Sequence, residues 1–293
     1  MHAFLAELLH SGPVLTDGAW GTELQARGLP IGDFPDAWNL AHPERVEEVA
    51  RAYVEAGSRI LLTNTFGANR VRLGEHQLAA KVAEINRRGV EISRRAAGKH
   101  AFVFASIGPS GKMLLAGEVS ADQLGATFEE QAHALAEAGA HALVVESMAD
   151  LDEAKLAVAA GRSTGLPVVA CMVFDSGRGQ DRTMMGTTPE QAAETLSAAG
   201  AEVIGANCGQ GIAGFVKICQ RLHAATDRPI WIKPNAGLPE LADGRAVYRT
   251  TPESFASHVP DLLAAGANFI GGCCGTNPDF IKAVRHHLPL PGE

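Results

Sequence analysis

Short apolar runs rich in β-branched residues recur along the chain, and the segments between them carry apolar residues three and four positions apart. The first pattern is typical of strands covered on both faces, and the second of amphipathic helices. The predicted strands are residues 13–17, 59–64, 101–106, 142–146, 168–174, 202–207, 230–235 and 268–272. The predicted helices are residues 43–56, 77–97, 120–138, 150–162, 189–199, 212–225, 252–265 and 278–287.

Several of these helices have chemical signals at both ends. Thr188 and Thr251 each precede a first-turn proline, and a hydroxyl at that position caps free backbone N–H groups. Ala-Gly pairs stand where helices stop and strands follow, because glycine adopts the left-handed conformation that closes a helix. The glycines of these pairs are Gly57, Gly139, Gly200 and Gly266.

Eight alternations of strand and helix in 293 residues predict an α/β protein, a single (β/α)8 TIM barrel. A doubly wound open sheet is the alternative, but no Gly-x-Gly-x-x-Gly turn follows the first strand. The loops from strand to helix are long and rich in Gly, Asn, Asp and Thr. In a barrel these loops share one rim, where active sites lie. No linker-like composition divides the chain, so we expect one domain over residues 1–293.

Composition and charge narrow the class of function. The chain is 46% hydrophobic and 20% charged, as in folded globular proteins. A net charge of -8 without a Lys/Arg cluster gives no electrostatic footprint for nucleic acid. No apolar run approaches the roughly 20 residues of a membrane span, and the first residues lack a secretory signal. We therefore expect a cytoplasmic protein that acts on small molecules, with no nucleic-acid or membrane partner.

Three of the five cysteines end predicted strands. Cys208 closes the sixth strand, and Cys273 and Cys274 close the eighth. Because the ends of barrel strands meet at one rim, these thiols are predicted to come together. Adjacent strand residues point to opposite faces, so the vicinal pair can face one ion only beyond the strand, where flanking glycines free the backbone. Cys171 within a strand and Cys219 on a helix are interpreted as core residues.

Three thiolates suit Zn²⁺, a borderline-soft ion that proteins often bind through sulfur. A structural zinc site uses four protein ligands, whereas three leave one position for a substrate. The alternative is that the cysteines are small core residues. Zinc with three thiolates is a poor activator of water, but a thiol that coordinates it is deprotonated. The cluster therefore favours alkylation of a thiol substrate over hydrolysis.

Polar residues end the other strands and are candidates for substrate binding. Asp17 and Glu146 are candidate partners for the ammonium group of a thiol amino acid, and a structural salt bridge or helix cap is the alternative for each. The substrate carboxylate suits the N–H groups of Gly18 and Ala19, or of the turn at residues 108–111. The full predicted substrate-binding set is Asp17, Gly18, Ala19, Asn64, Ser106, Glu146 and Asn207.

The motifs at these strand ends resemble those of the zinc-dependent homocysteine S-methyltransferases. They are Asp-Gly-Ala-Trp-Gly-Thr at 17–22, Thr-Asn-Thr-Phe-Gly-Ala-Asn at 63–69, Ser-Ile-Gly-Pro at 106–109, Ala-Asn-Cys-Gly at 206–209 and Gly-Gly-Cys-Cys-Gly-Thr at 271–276. The resemblance implies a barrel that binds zinc through Cys208, Cys273 and Cys274. It also implies that Asp17 and Glu146 contact the amino group of homocysteine, with no catalytic residue beyond the zinc site.

Within that family the motifs are most similar to the homocysteine-binding module of cobalamin-dependent methionine synthase, notably at 63–69, 183–186 and 233–237. The folate, cobalamin and reactivation modules have no counterpart here, so the methyl donor is expected to be a separate methyl-corrinoid protein or a small molecule. The small donors of the family are betaine, S-methylmethionine and S-adenosylmethionine. Ser147 replaces a tyrosine of the betaine enzymes, which argues against betaine.

Two hypotheses follow from the sequence. The first is an enzyme that methylates homocysteine to methionine, with the zinc-bound substrate thiolate as nucleophile. The alternative is a homocysteine-binding subunit that acts only with a separate corrinoid methyl-carrier protein.

Overall fold

Eight parallel strands surround a central axis in the computed structural model, which describes residues 1–242 and 245–289. Numbered along the chain, these strands are β1 (Val14–Leu15), β2 (Ile60–Leu61), β3 (Phe102–Ile107), β4 (Ala142–Met148), β5 (Val168–Met172), β6 (Val203–Cys208), β7 (Ile230–Pro234) and β10 (Ala267–Ile270). Their order is β1-β10-β7-β6-β5-β4-β3-β2. The remaining two, β8 (Glu240–Ala242) and β9 (Arg245–Val247), form an antiparallel pair.

A single bridge closes the ring between β1 and β2. Thr16 pairs in parallel with Ile60, and the Arg59 N–H donates to the Leu15 carbonyl at 2.8 Å. The predicted (β/α)8 barrel is therefore confirmed. The expected extent of one domain, residues 1–293, includes residues 243–244 and 290–293, which lie outside the described residues.

The helices alternate with the strands largely as the sequence predicts. They are α1 (Ala3–Leu9), α2 (Gly21–Ala26), α3 (Trp38–Ala41), α4 (Pro43–Ala56), α5 (Arg70–Glu75), α6 (Val82–Ala97), α7 (Ala121–Glu137), α8 (Leu151–Ser163), α9 (Pro189–Ala199), α10 (Ile212–Ala224), α11 (Pro252–Ala256), α12 (Val259–Ala264) and α13 (Pro278–Arg285). Among the described residues, no helix is both long enough and apolar enough to span a membrane.

Two predicted helices differ from the observed ones. The helix predicted over 77–97 begins later, at Val82, because Gln77 has a left-handed φ of 60° and a 3-10 turn follows it. The helix predicted over 252–265 is divided into α11 and α12. Pro260 causes the break, since it has no N–H to donate to the Ala256 carbonyl one turn earlier.

The predicted helix ends are confirmed. The Thr188 and Thr251 hydroxyls accept from backbone N–H groups three residues ahead, and Thr188 forms a capping box with Gln191. All four glycines of the Ala-Gly pairs have φ between 92° and 102°. These signals are local, so the sequence alone identifies them.

A layer of large side chains fills the interior of the barrel. The Trp231 ring lies between those of Phe104 and Phe269, with centroid distances of 6.0 and 5.2 Å. Cys171 is buried in the same layer, which confirms its prediction as a core residue. Leu5 of α1, a helix that the sequence did not predict, also packs there.

Gly205 on β6 makes room for this layer. A Cβ atom at this position would lie 2.3 Å from the Trp231 carbonyl oxygen and 2.9 Å from the Cys171 sulfur. Only a residue without a side chain therefore allows β6 and β7 to approach this closely.

We expect Gly205→Ala to lower the free energy of unfolding by about 3 kcal/mol, because backbone atoms must move to admit the methyl group. The matched control is Gly125→Ala on α7, where a Cβ atom meets nothing within 4 Å. It should raise the free energy of unfolding by about 0.5 kcal/mol, since alanine favours helix. Urea denaturation of both variants measures the difference, and equal stability of the two would contradict the packing argument.

Candidate active site

Three cysteine side chains meet at the carboxyl-end rim of the barrel. Cys208 ends β6, and Cys273 and Cys274 lie in the loop after β10. Their Sγ atoms all lie within 4.8 Å of one another, and those of Cys208 and Cys273 are 3.3 Å apart. A tetrahedral metal with bonds of about 2.3 Å holds its sulfur ligands roughly 3.8 Å apart. Small side-chain movements therefore suffice for the three sulfurs to share one ion.

An unusual backbone conformation turns the Cys208 thiol toward the cluster. Cys208 has a φ of 63°, in the left-handed region that few non-glycine residues occupy. Its carbonyl accepts from the Asn235 N–H at 3.1 Å, and the Asn235 side-chain amide donates to the Gly209 carbonyl at 2.7 Å. The end of β6 is thus held by the segment that follows β7.

The vicinal cysteines are held by the same segment. The Cys273 N–H donates to the Pro234 carbonyl at 2.8 Å, and the Cys274 carbonyl accepts from the Ala236 N–H at 2.9 Å. Both cysteines lie beyond the last residue of β10, as the sequence predicted. The backbone of all three cysteines is therefore held by residues 234–236, the end of β7 and the two residues after it.

Proximity shifts the thiol pKa values in opposite directions. Hydrogen bonds with Cys273 and Cys274, together with burial, raise the pKa of Cys208 well above its usual value. The pKa of Cys274 falls to about 3, because its sulfur accepts hydrogen bonds from Cys208 and Cys273. The three sulfurs thus share their protons through mutual hydrogen bonds, and a cation can replace those protons. This donor set fits zinc or another thiophilic metal.

A cavity of about 310 Å³ opens beside the cysteines. Most of the predicted site residues line it, namely Gly18, Ala19, Asn64, Ser106, Glu146, Cys208, Cys273 and Cys274. Asp17 and Asn207 differ from these, because both are fully buried and neither lines the cavity. The turn at residues 108–111 is also outside the lining, whereas Gly18 and Ala19 belong to it. The Ala19 N–H already donates to Thr276 Oγ1 at 3.2 Å.

The carboxylate of Asp17 is fully engaged by protein groups. Its Oδ2 atom accepts from Trp20 Nε1 at 2.8 Å and from the Leu62 N–H at 2.7 Å. Its Oδ1 atom forms an ion pair with Lys233, whose side chain is also buried. Burial alone would lower the pKa of Lys233, but the charges of Asp17 and Glu146 outweigh it and raise that pKa. Lys233 therefore remains a cation in the cavity wall.

Lys233 is a site residue that the sequence analysis missed. The signal was present, because Lys233 stands within the predicted buried strand 230–235. A lysine is almost never fully buried without a partner of opposite charge, so its position predicts a buried acid nearby. The sequence could not identify which acid that is.

Glu146 is the carboxylate that faces the cavity beside the cysteines. Its Oε1 atom accepts from the Ser106 hydroxyl, and its Oε2 atom accepts from Asn207 Nδ2 at 3.3 Å. Burial raises the pKa of Glu146 to about 7, against the opposing charge of Lys233. A ligand ammonium group at this carboxylate would favour its ionised form.

Asn207 holds the end of β4 in place. Its Oδ1 atom accepts from the Ser147 N–H at 2.7 Å, and its Nδ2 group donates to the Ser147 hydroxyl at the same distance. Ser147 has a left-handed φ of 59°, which these two bonds stabilise. Asn207 thus positions Glu146 and Ser147.

A second set of side chains, farther along the cavity, was also missed by the sequence analysis. Phe34, Asp36, Phe66 and Arg72 line it on the loops that follow β1 and β2 and at the start of α5. Asp36 is 3% exposed. The sequence marks these loops as long and placed at the rim, but no pattern in them identifies which residues turn inward.

The chain is similar to known proteins in both sequence and fold. The chain is 31% identical over 299 residues to methionine synthase of Mycobacterium leprae (strain TN), covering 96% of this chain and 24% of that protein. It is 30% identical over 299 residues to methionine synthase of Mycobacterium tuberculosis (strain ATCC 25618 / H37Rv), covering 96% of this chain and 25% of that protein. The chain therefore spans about a quarter of the length of these relatives.

The fold is also similar to that of a solved structure of comparable length. The homocysteine methyltransferase MmuM from Escherichia coli, in its metallated form, superposes with a TM-score of 0.81 at 25% identity, covering 96% of this chain and 98% of that chain. The family model of homocysteine S-methyltransferase matches residues 14–288. The chain therefore belongs to the homocysteine S-methyltransferase family.

Proposed function

We propose that this protein transfers a methyl group to the thiol sulfur of homocysteine and so forms methionine. The observation that carries the proposal is the cluster of Cys208, Cys273 and Cys274, which opens onto a small cavity that also holds the carboxylate of Glu146. A thiol-activating centre next to a partner for an ammonium group suits a thiol amino acid. Membership of the homocysteine S-methyltransferase family supports the same reaction.

We propose zinc as the metal and the three cysteines as its protein ligands. Three thiolates are a common donor set for this ion, and they leave a fourth position for a substrate sulfur. When bound, zinc supplies the Lewis acidity that deprotonates a thiol at neutral pH. The likeness to a methyltransferase solved in a metallated form supports a metal at this position.

The cavity residues are proposed to bind the two ends of homocysteine. Glu146 accepts from the substrate ammonium, and the Gly18 N–H donates to the substrate carboxylate. Ala19 contributes to the wall, because its own N–H is already bonded to Thr276 Oγ1. Ser106 and Asn207 hold Glu146 through its two oxygens. Asn64 also lines the cavity, while its side-chain amide donates to the Pro35 carbonyl at 2.8 Å and to Asn39 Oδ1 at 3.0 Å. Asp17 does not line the cavity and acts indirectly. Its ion pair with Lys233 holds that lysine in the cavity wall.

The chemical step is an in-line displacement at carbon. The substrate sulfur, whose proton has left to water, forms a bond to the methyl carbon as the bond from that carbon to the donor breaks. The electron pair of the broken bond leaves with the donor. The protein contributes mainly by aligning the sulfur with the methyl group in a cavity of small volume, because proximity and orientation are large terms in such reactions.

A second candidate is a homocysteine-binding unit that works only with a separate methyl-corrinoid protein. The observation that favours it is length, since the chain spans about a quarter of its methionine synthase relatives. Methionine formed from a small donor alone, without a second protein, distinguishes the enzyme from this unit. The cytoplasmic location stays a prediction.

Replacing Cys208, Cys273 or Cys274 singly with alanine is expected to reduce bound zinc from about one ion per chain to a small fraction of that, because two sulfurs do not complete the site. Methyl transfer should be lost in parallel. The matched control is Cys219→Ala, since Cys219 is buried on α10 and its thiol donates to the Ala265 carbonyl at 3.5 Å. Metal analysis and a methionine assay test this, and full zinc content with turnover in all three site variants would exclude the proposed centre.

The role of Glu146 is tested with Glu146→Gln. We expect homocysteine to bind about tenfold more weakly, because a charge-assisted hydrogen bond to the ammonium is lost. Calorimetry with 4-mercaptobutanoate, which lacks the amino group, provides the control and should give the same affinity for both proteins. An equal loss of affinity for the two ligands would assign Glu146 a structural role instead.

A further inference from the structure

We infer that a cleft at the amino-end face of the barrel binds a phosphate group, carried either by free inorganic phosphate or by a small phosphorylated metabolite. This face is opposite the rim that holds the cysteines, because Arg59, Ala101 and His141 immediately precede β2, β3 and β4. The inference does not depend on the proposed methyl transfer. The lining of this amino-end cleft includes Arg59, Arg94, Lys99, His100, Ala101 and His141.

The ionisable side chains of the amino-end cleft are all basic. Arg59, Arg94 and Lys99 carry permanent positive charges, and the rings of His100 and His141 lie beside them. Among the described residues of the lining, none is acidic. These side chains come from separate segments of the chain, so no Lys/Arg cluster in the sequence marks them. In a chain with a net charge of -8, this local excess of positive charge favours an anion.

The three cations of the cleft have no carboxylate partner in the part of the chain that the structure describes. Within residues 1–242 and 245–289, no Asp or Glu oxygen lies within 4.0 Å of the side-chain nitrogens of Arg59, Arg94 or Lys99. By contrast, Arg95 on the same helix as Arg94 pairs with Glu47 at 2.9 Å. Cations that line one small cleft repel one another, and an anion bound among them relieves that repulsion.

Neutral N–H donors add to these charges. The Val103 N–H donates to His141 Nδ1 at 3.0 Å, so the proton of the neutral ring is on Nε2. Burial lowers the pKa of His141, and the charge of Arg94 adds to this effect, so the ring is neutral at pH 7. In the turn between α6 and β3, the N–H groups of Lys99 and Ala101 donate to no acceptor among the described residues. Charged and neutral donors therefore line the same cleft.

A structural role accounts for only one of the three cations. Arg94 donates to the Gly139 carbonyl just beyond α7, which uses one of the five N–H donors of its guanidinium. Arg59 and Lys99 are exposed, and their side chains form no hydrogen bond with any other described residue. Both of these charges are therefore available to a ligand.

The size of the cleft and its number of donors suit a phosphate group. Its volume of about 160 Å³ equals that of roughly five molecules of liquid water. A phosphate group carries about two negative charges and at least three acceptor oxygens, so it can bond to several N–H groups at once. A carboxylate has one charge and two oxygens, and it would leave more of these donors unpaired. The rest of a phosphorylated metabolite would extend into solvent.

The test measures binding of three anions to the zinc-loaded full chain by calorimetry, at an ionic strength held constant with sodium chloride. We expect inorganic phosphate to bind with a Kd of about 1 mM and acetate to bind at least tenfold more weakly. Glycerol 3-phosphate separates the two sources of the phosphate group. Tighter binding than that of inorganic phosphate would support a phosphorylated metabolite, and equal or weaker binding would support free phosphate. Acetate binding as tight as that of phosphate, or no phosphate binding, would overturn the inference.

Substitutions locate the bound phosphate. Arg59→Gln and Lys99→Gln each remove one exposed charge, and we expect each to weaken phosphate binding about tenfold through loss of a charge-assisted hydrogen bond. The matched control is Arg87→Gln, because Arg87 is exposed on α6, loses the same charge and lies outside the cleft. Wild-type affinity in both cleft variants would overturn the inference, and so would an equal loss in Arg87→Gln.

Competition with homocysteine distinguishes the amino-end cleft from the cysteine rim. Because the two sites lie on opposite faces of the barrel, phosphate affinity should be the same with and without saturating homocysteine. Zinc content and homocysteine affinity should also be unchanged in Arg59→Gln and Lys99→Gln. Displacement of phosphate by homocysteine would place the anion at the cysteines and would overturn the inference. Failure of homocysteine to bind would instead count against the proposed function and leave the phosphate measurements valid.

Discussion

Three sulfur atoms that repel one another when ionised must be brought together for this site to exist. Cys208 comes from one strand end, and Cys273 and Cys274 come from another, two positions around the ring. Because the strands of the barrel are parallel, these ends lie at one rim. The sulfurs also require backbone that has left the regular strand, which Cys208 achieves with a left-handed residue. Barrel geometry and local strain together produce the cluster.

Three buried charged side chains, Lys233, Asp17 and Glu146, determine the electrostatics of the rest of the cavity. Lys233 lies between Asp17, with which it pairs, and Glu146, whose ionisation its charge favours. Such an arrangement is stable only because each charge has a partner in a region of low dielectric constant. Glu146 has the least complete set of partners, and it is the acid that faces the cavity. Glu146, which has the fewest stabilising partners within the protein, is thus the carboxylate available to a ligand.

The sequence predicted the features that depend on local pattern. Strand and helix order, the caps at Thr188 and Thr251 and the convergence of the cysteines all follow from periodicity, turn chemistry and position at strand ends. The start of α6 was placed too early, because nothing in the pattern shows that Gln77 adopts a left-handed conformation. The inward turn of Asp36 and Arg72 was not predictable either, since both lie on irregular loop or short helix whose direction depends on packing.

Asp17 also has a structural role in closing the barrel. The strands on either side of it, β1 and β2, are the shortest in the barrel, and little main-chain pairing holds them to each other. By accepting from the Leu62 N–H beyond β2, Asp17 links the two sides of this seam. Its ion pair with Lys233 on β7 anchors the same carboxylate on the other side of β1. If the Asp17 carboxylate bound a substrate directly, it would have to give up these contacts, and the closure of the barrel would be weakened. Closure of the ring and capture of a substrate therefore cannot both draw on the Asp17 carboxylate.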